Sequence, residues 1–425
     1  MKWKLWMLFP AVSCLSLPAL AAPAGLDTGD TAWVLSSGMW VLFMSIPGLA
    51  LFYGGMVRKK NVLSIKLQCF AICCLVSLLW AVAGYTLAFS TGNGFIGGLS
   101  DLLLNKVTTT SLTGTIPTSA FVFFQMTFAV ISAAIITGAV AERMKFSALL
   151  VFIALWLLLV YAPICHWVWG SDGWLMNKGI LDFAGGTVVH INAGVSGLVA
   201  AMVVGKRRQE GCDQSANHNL TLTLVGGAML WVGWFGFNAG SALGAGQGAG
   251  MAMLTTQLAA ASGALAWMFA EWSITRKPSV LGTVSGAIAG LVAITPAAGF
   301  VTTGAAIGIG LLAGVICYWA TAVLKTKLGY DDSLDCFGIH GIGGIVGALL
   351  TGVFASSAIG GTAGVIEGNW AQLGLQALGV VVTVVYATVA SYILLKIIGL
   401  AVNLRVDDET ERRGLDIAEH GERVE

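Results

Sequence analysis

The chain has 425 residues, of which 57% are hydrophobic and only 10% carry a charge. Soluble domains carry roughly 25% charged residues, so the composition excludes an ordinary water-soluble fold and predicts a protein of the lipid bilayer. The 22 Lys and Arg residues nearly balance the 21 Asp and Glu residues, so the chain lacks the basic surplus typical of proteins that bind nucleic acid.

The N-terminus has the pattern of a secretory signal. Lys2 and Lys4 precede a short apolar stretch that ends in a small-residue cleavage site at residues 19–21. Because Pro10 and Pro18 interrupt the apolar run, we favour a cleaved signal over an uncleaved first span. We therefore expect a signal peptide at 1–21, a membrane domain at 22–404 and a C-terminal tail at 405–425.

Eleven apolar stretches follow, and each is long enough to be considered as a membrane helix. A helix is the expected form because it satisfies its own backbone hydrogen bonds in lipid. The stretches cover approximately residues 32–53, 67–90, 119–140, 146–164, 187–205, 219–237, 250–273, 279–295, 303–324, 338–355 and 370–402. The last stretch is long enough to need tilting.

The loops between these stretches alternate in charge. With the N-terminus outside, every loop predicted to be cytoplasmic is basic, whereas the outer loops carry only Lys106 and Lys178. The basic loops contain Arg58, Lys59, Lys60, Arg143, Lys145, Lys206, Arg207, Arg208, Arg276, Lys277, Lys325 and Lys327. This bias predicts a multi-pass protein of the cell inner (plasma) membrane with its C-terminal tail in the cytoplasm.

An internal repeat supports a transport fold. The pattern His-x-x-x-Gly-x-x-Gly begins at His190 in the fifth stretch and again at His340 in the tenth. Five spans separate the copies, and an odd number turns the second copy upside down in the membrane. We predict an all-α integral membrane fold of eleven transmembrane helices, with an inverted five-helix repeat (spans 1–5 and 6–10) and a tilted eleventh helix.

His190 and His340 are the leading site candidates. Ionisable groups inside membrane spans are rare and usually face a pathway or cavity, so we favour a polar pathway over two satisfied buried histidines. His166, His218 and His420 are given no function. The cysteines lack metal-ligand spacing, so we predict no metal site and no cofactor, and nothing in the spans suggests an enzyme.

Aromatic residues cluster near the outer ends of spans three, four and six, and two interpretations stay open. The rings could form the interfacial aromatic belt, or they could form a cation site in which Ser241 accepts a hydrogen bond. The cluster contains Phe124, Phe128, Trp167, Trp169, Trp234, Phe235 and Phe237. Asp182, just before span five, either caps a helix or stabilises a cation or its loop, whereas Asp335, before span ten, is interpreted as structural.

Several motifs resemble those of the ammonium transporter (Amt/Rh) family, in the family's order and over almost the whole mature chain. They are DFAGGTVVHINAGVSGLVAA (182–201), IPGLALFYGG (46–55), GAVAERMKFSA (138–148), GWFGFNAGSAL (233–243), SGAIAGLVAITPAAGF (285–300) and DCFGIHGIGGIVG (335–347). The bacterial Amt branch is more similar than the Rh branch. Loops 90–117 and 205–220 match only loosely.

The resemblance implies roles for the candidate residues. His190 and His340 would be a twin-histidine pair lining a hydrophobic pore, and Phe128 and Phe237 a phenylalanine gate above it. An outer ammonium-recruiting site would consist of Phe124, Trp169 and Ser241, supported by Asp182. The resemblance also implies a homotrimer, and a PII-type signalling protein docked on the cytoplasmic tail and loops.

The expected function is therefore the transport of ammonium, which loses its proton and crosses the pore as ammonia. A neutral base is favoured because a bare ion in a medium of dielectric about 4 faces an idealised cost of order 20 kcal/mol. Two alternatives remain: an ammonium sensor that signals through a PII-type partner, and a facilitator of another small neutral solute.

Overall fold

The computed structural model describes residues 25–208 and 217–424. The predicted signal peptide at 1–21 lies outside the described residues. Within them, ten helices are long and apolar enough to cross a membrane. One shorter apolar helix, Val280–Ile294 with 15 residues, is the eighth of the eleven in chain order. The predicted fold class of an all-α membrane protein with eleven helices is confirmed.

The helices are numbered here as spans 1 to 11 in chain order. They run over Thr28–Met56, Lys59–Phe89, Thr118–Val140, Phe146–Trp169, Gly186–Val204, Leu220–Gly240, Gln247–Thr275, Val280–Ile294, Thr303–Leu328, Phe337–Phe354 and Trp370–Ala401. Short elements outside the spans are Leu102–Leu104, Met176–Lys178, Ser357–Gly360, Val365–Glu367, Asp408–Arg413 and Leu415–His420, with a hairpin of two strands, Leu112–Thr113 and Ile116–Pro117.

The packing repeats between the two halves of the bundle. Span 1 lies against span 6, and span 5 lies against span 10, so the first and last helices of the two halves pair with each other. Span 3 packs on span 5 as span 8 packs on span 10. This is the arrangement expected of an inverted repeat. Span 11 stands outside it and packs on spans 4, 5 and 10.

Small residues allow spans 5 and 10 to cross at backbone contact. A Cβ atom added to Gly194 would lie 2.3 Å from the Gly341 nitrogen, and one added to Gly344 would lie 3.0 Å from the Gly186 carbonyl oxygen. A side chain at Gly194 would collide with the facing backbone, and one at Gly344 would be packed more tightly than an ordinary contact. The glycines that follow each histidine therefore determine how closely the two helices approach.

Both histidines lie in wide π turns at the start of their spans, Gly186–Ile191 and Phe337–Gly341. Wide turns are rare in helices and are frequent at functional sites. Four others occur in spans 1, 2, 4 and 9, at Met44–Leu49, Trp80–Gly84, Leu157–Tyr161 and Ala320–Leu324.

One end of the bundle, here called the tail end, collects the charged loops. Buried Glu142 accepts hydrogen bonds from Arg58 Nε at 3.0 Å and from Arg207 Nη1 at 3.2 Å, and Arg207 also contacts Asp331 at 2.8 Å. Burial by itself raises the pKa of Glu142, but the two guanidinium groups outweigh burial and hold that pKa below its ordinary value. Three loops are thus joined around one carboxylate.

The C-terminal tail docks on the same loops and supplies helix caps. Asp416, 1% exposed, accepts the backbone N–H groups of Leu63 and Ser64 at 3.0 and 2.7 Å, where the α-helical part of span 2 begins. Glu419 accepts the N–H of Phe146 at the start of span 4, at 3.0 Å. Carboxylates are favoured at helix N-termini because they take up free N–H groups and meet the positive end of the helix dipole.

The opposite end, here called the hairpin end, carries the strand pair, the start of span 1 and the loop after span 6. Asp30 joins these parts, because it accepts hydrogen bonds from Thr115 Oγ1 at 2.6 Å and from the Ala245 N–H at 2.8 Å. The two ends therefore differ in chemistry: the tail end is dense in Arg–carboxylate ion pairs, whereas at the hairpin end the Asp30 carboxylate is bound by a hydroxyl and a backbone N–H.

The crossing of spans 5 and 10 generates a first prediction. Gly194→Ala forces a methyl group against the Gly341 backbone, and such overpacking costs about 1 to 3 kcal/mol. We expect a lower thermal unfolding midpoint for the purified protein in detergent. Gly374→Ala is the matched control, because nothing lies within 4 Å of its added Cβ in span 11; it should match or exceed the wild type. Equal midpoints for both variants would show that the crossing tolerates a methyl group.

Candidate functional site

The two histidines of the repeat meet in the interior of the bundle. His190 Nδ1 lies 3.2 Å from His340 Nδ1, and the rings are 1% and 6% exposed. Two nitrogens at this distance share one proton, so one ring donates from Nδ1 and the other accepts. Consequently one Nε2 atom carries a hydrogen and the other is bare. His190 Nε2 has no hydrogen-bond partner among the described residues.

Aromatic rings cover His190 on the side toward the hairpin end. Phe128 and Phe237 stack with centroids 4.2 Å apart at 22°, and Phe237 lies 5.9 Å from the His190 ring. For Trp234 the sequence analysis left open whether it belongs to the interfacial aromatic belt or to a cation site. Its ring stacks on His190 with centroids 5.3 Å apart and is 1% exposed. Its Nε1 donates to Thr295 Oγ1 at 2.9 Å. The rings form one continuous column above the histidine pair.

The column continues to three more of the predicted residues. Phe124 and Trp169 lie 4.9 and 5.8 Å from Phe128, ring centre to ring centre. Ser241 is half-buried one helical turn after Phe237, and its hydroxyl donates to the Phe237 carbonyl at 2.9 Å. Because that hydroxyl hydrogen is already engaged, the Ser241 oxygen has lone pairs left to accept a hydrogen bond from a guest.

Asp182 holds the start of span 5. Its Oδ1 accepts the N–H groups of Gly185 and Gly186 at 3.0 and 2.6 Å, and its Oδ2 accepts those of Thr187 and Val188 at 2.9 and 3.1 Å. Burial raises the pKa of this carboxyl to about 6, against the opposite effect of its four N–H partners. The backbone carbonyl of Asp182 also accepts Trp169 Nε1 at 2.8 Å. One residue thus fixes the helix that carries His190 and one wall of the aromatic cluster.

The sequence analysis missed the equivalent residue of the second half, Asp332. Its Oδ1 and Oδ2 accept the N–H groups of Cys336 and Phe337 at 3.1 and 2.7 Å, at the start of the span that carries His340. Burial and the nearby Asp335 raise the pKa of Asp332 to about 6. The signal was available, since Asp332 follows Asp182 by the same 150 positions that separate the histidines. Asp335 instead pairs with Lys325 at 2.8 Å.

A narrow cavity lies beyond the histidines toward the tail end. It has a volume of about 10 Å³, which is space for roughly one small molecule such as water. His340 and Trp234 form part of its wall, and the rest is mostly aliphatic, including Ile131, Leu230 and Ile288. The histidine pair and this cavity are together called the lane; apart from the two imidazoles, it offers few polar groups to a guest.

A metal-binding role has no support among residues 25–208 and 217–424, where no group of three His, Cys, Asp or Glu side chains is placed to hold an ion. The arrangement suits a small guest that can use one donor and one acceptor nitrogen and otherwise tolerates apolar walls. The structure brings together all eight residues that the sequence analysis assigned to a site; their roles remain predictions.

Comparison with known proteins gives a consistent result. Residues 32–425 match the model of the Ammonium Transporter Family. An ammonium transporter of Bacillus subtilis is 49% identical over 94% of this chain and 99% of its own length. An ammonium transporter of Aquifex aeolicus is 48% identical over 97% of each chain.

Solved structures agree with these relatives. The crystal structure of Saccharomyces cerevisiae Mep2 superposes with a TM-score of 0.84 at 37% identity, covering 90% of this chain and 88% of that chain. A structure titled Sensor Amt Protein superposes with a TM-score of 0.85 at 31% identity, covering 92% and 98%.

The carboxylate caps generate a second prediction. In Asp182→Asn one oxygen becomes an amide NH2, which cannot accept the two N–H groups that Oδ2 accepts, and each unsatisfied buried donor costs about 1 to 3 kcal/mol. We expect a clear fall in the thermal unfolding midpoint, and a smaller fall for Asp332→Asn, which loses one acceptor contact. Asp335→Asn is the control, since a partly exposed ion pair contributes at most about 1 kcal/mol. An Asp182→Asn protein as stable as the control would contradict the capping role.

Proposed function

The chain belongs to the ammonium transporter family, and we propose that it transports ammonium by a defined route: recruitment at Trp169 and Ser241, loss of a proton, and passage of ammonia past His190 and His340. The contact of 3.2 Å between the two Nδ1 atoms is the observation that carries this proposal. It places one donor and one acceptor nitrogen in an otherwise apolar lane, which suits ammonia, itself both donor and acceptor.

The outer site is proposed to be a cation site. Phe124 and Trp169 would offer ring faces to ammonium, an attraction of about 2 kcal/mol or more when the cation is desolvated. The Ser241 oxygen would accept one N–H of the ion. Asp182 supports the site from behind, through its carbonyl bond to Trp169, rather than by touching the substrate.

The stacked Phe128 and Phe237 rings favour a route in which ammonium loses its proton before the guest enters the lane. At 4.2 Å between centroids the two rings are in stacking contact, and we expect a guest to pass them only when a ring moves aside. An ion entering beyond them would leave water for a medium of low dielectric, with an idealised cost of order 20 kcal/mol at dielectric about 4. Ammonia needs only hydrogen-bond partners there. Potassium, which has no proton to lose, would be rejected at this step.

The remaining parts of the proposal concern assembly and sidedness. We propose that the hairpin end faces outward, that the tail end is cytoplasmic in the inner membrane, and that the protein is a homotrimer. The gathering of four basic loops and the tail at one end supports this orientation. The docked tail and these loops would form the surface for a PII-type partner.

Sensing is the second candidate function, favoured by the likeness to a structure titled Sensor Amt Protein. It differs from transport in a measurable way. Reconstituted protein that binds ammonium but passes neither current nor labelled methylammonium would favour sensing. Uptake would favour transport.

A third prediction concerns the twin histidines. We expect His190→Ala and His340→Ala each to lower the ammonium-evoked current on a supported membrane by about tenfold, or to admit potassium, because either loss removes a polar partner worth about 1.4 kcal/mol or more. His218→Ala, on the tail side of span 6, is the matched control and should behave as wild type. Unchanged current and unchanged potassium exclusion in both pore variants would remove the histidines from the mechanism.

A fourth prediction concerns Ser241. We expect Ser241→Ala to raise the half-saturating ammonium concentration about tenfold or more, with little change in the maximal current, because a hydrogen bond to a charged group contributes about 1.5 to 3 kcal/mol. Ser273→Ala is the control: its hydroxyl also donates to a carbonyl of its own helix, but it lies exposed near the end of span 7. A change in maximal current alone would argue against recruitment at Ser241.

A further inference from the structure

His166, given no function by the sequence, lies in an unusual hydrogen-bonding environment. It is 0% exposed, in the last turn of span 4 and three residues before Trp169. Its Nδ1 lies 2.9 Å from the Ala88 carbonyl oxygen, near the end of span 2. Its Nε2 lies 2.7 Å from the carbonyl oxygen of Asn93, in the following loop. Both ring nitrogens therefore face backbone oxygens.

Each of the two carbonyl oxygens needs an N–H donor from the His166 ring. A carbonyl oxygen only accepts, and a neutral imidazole has a single N–H, so only the doubly protonated ring can donate to both. In either neutral form a bare nitrogen would point its lone pair at an oxygen less than 3 Å away. A buried polar atom without a partner is costly, which favours the imidazolium.

A carboxylate stands beside this charge. Asp172 Oδ1 lies 3.4 Å from His166 Nε2, and Asp172 Oδ2 accepts the N–H of Gly92 at 2.7 Å. Among the residues that the structure describes, Asp172 is the acidic group within ion-pair distance of His166. The pair is neutral overall, so it adds no net repulsion toward a cation in the nearby aromatic cluster.

These contacts and two further hydrogen bonds attach the loop after span 2 to the end of span 4 and the loop that follows it. Trp167 Nε1 donates to the Phe95 carbonyl at 2.7 Å, and the backbone N–H of Trp174 donates to the Gly94 carbonyl at 3.0 Å. His166 makes the central bonds of this attachment and shares its helical turn with Trp169. Movement of this turn would displace the Trp169 ring from Phe128.

We propose that His166 is held as an imidazolium by Ala88, Asn93 and Asp172, and that it is a positioning residue for Trp169 at the outer ammonium site. It does not touch the substrate. The functional half of this inference rests on the proposed outer site, whereas the charge state of His166 does not.

Nitrogen NMR tests the charge state directly. The full-length protein, labelled with ¹⁵N-histidine and reconstituted in bilayers at neutral pH, has five histidines to resolve. His166→Gln assigns the His166 signals by their disappearance. We expect both nitrogens of His166 to give the shifts of a protonated imidazolium. A spectrum with one bare nitrogen would overturn the charge assignment, whatever the transport activity.

Asp172→Asn provides a milder variant in case His166→Gln fails to fold. It retains an oxygen for the Gly92 N–H and replaces the oxygen facing His166 by an amide group. We expect the nitrogen shifts of His166 to move away from those of the wild type and a rise of about threefold in the half-saturating ammonium concentration, with the maximal current within about twofold of wild type. This variant then also assigns the His166 signals, because they alone should shift strongly.

His218→Gln is the control for both readouts and should leave half-saturation unchanged. Folded Asp172→Asn protein with wild-type half-saturation would overturn the positioning role. A fall in maximal current alone would do the same, since it would indicate general damage. If the wild type carries no ammonium at all, the proposed transport function fails, while the NMR result still decides the charge of His166.

Discussion

The site depends on the backbone contact between spans 5 and 10. Gly194 lies directly against the backbone at Gly341, and this approach lets two side chains from opposite halves of the repeat meet at 3.2 Å. In lipid there is no hydrophobic driving force between helices, so close packing of small residues supplies much of the association. The glycines after each histidine therefore let the two histidine side chains come into contact.

The same crossing creates a difficulty that two carboxylates resolve. Spans 5 and 10 begin inside the protein, where their first N–H groups have no water to bind. Asp182 takes up four of these groups and Asp332 takes up two. The two carboxylates near the lane thus cap helices. Between these caps the lane is lined by aromatic rings, aliphatic side chains and two imidazoles.

Ionic interactions at the tail end have a different character. Glu142, Asp416 and Glu419 connect loops and tail segments that are distant in the chain, and each accepts backbone or guanidinium N–H groups. Because the tail caps spans 2 and 4, hydrogen bonds attach it directly to the membrane domain. Any partner that displaced it would expose helix N-termini that are now satisfied.

The sequence by itself determined the eleven spans, the charge bias of the loops and the relation between His190 and His340. These properties are local or periodic: a membrane helix satisfies its own backbone, and a repeat keeps its spacing. Only the tertiary structure decided which polar groups meet. It paired Asp332 rather than Asp335 with the start of span 10, stacked Trp234 on His190, and enclosed His166 between two carbonyls. Such partners come from distant parts of the chain, so their identity depends on how helices cross, which composition and hydropathy do not encode.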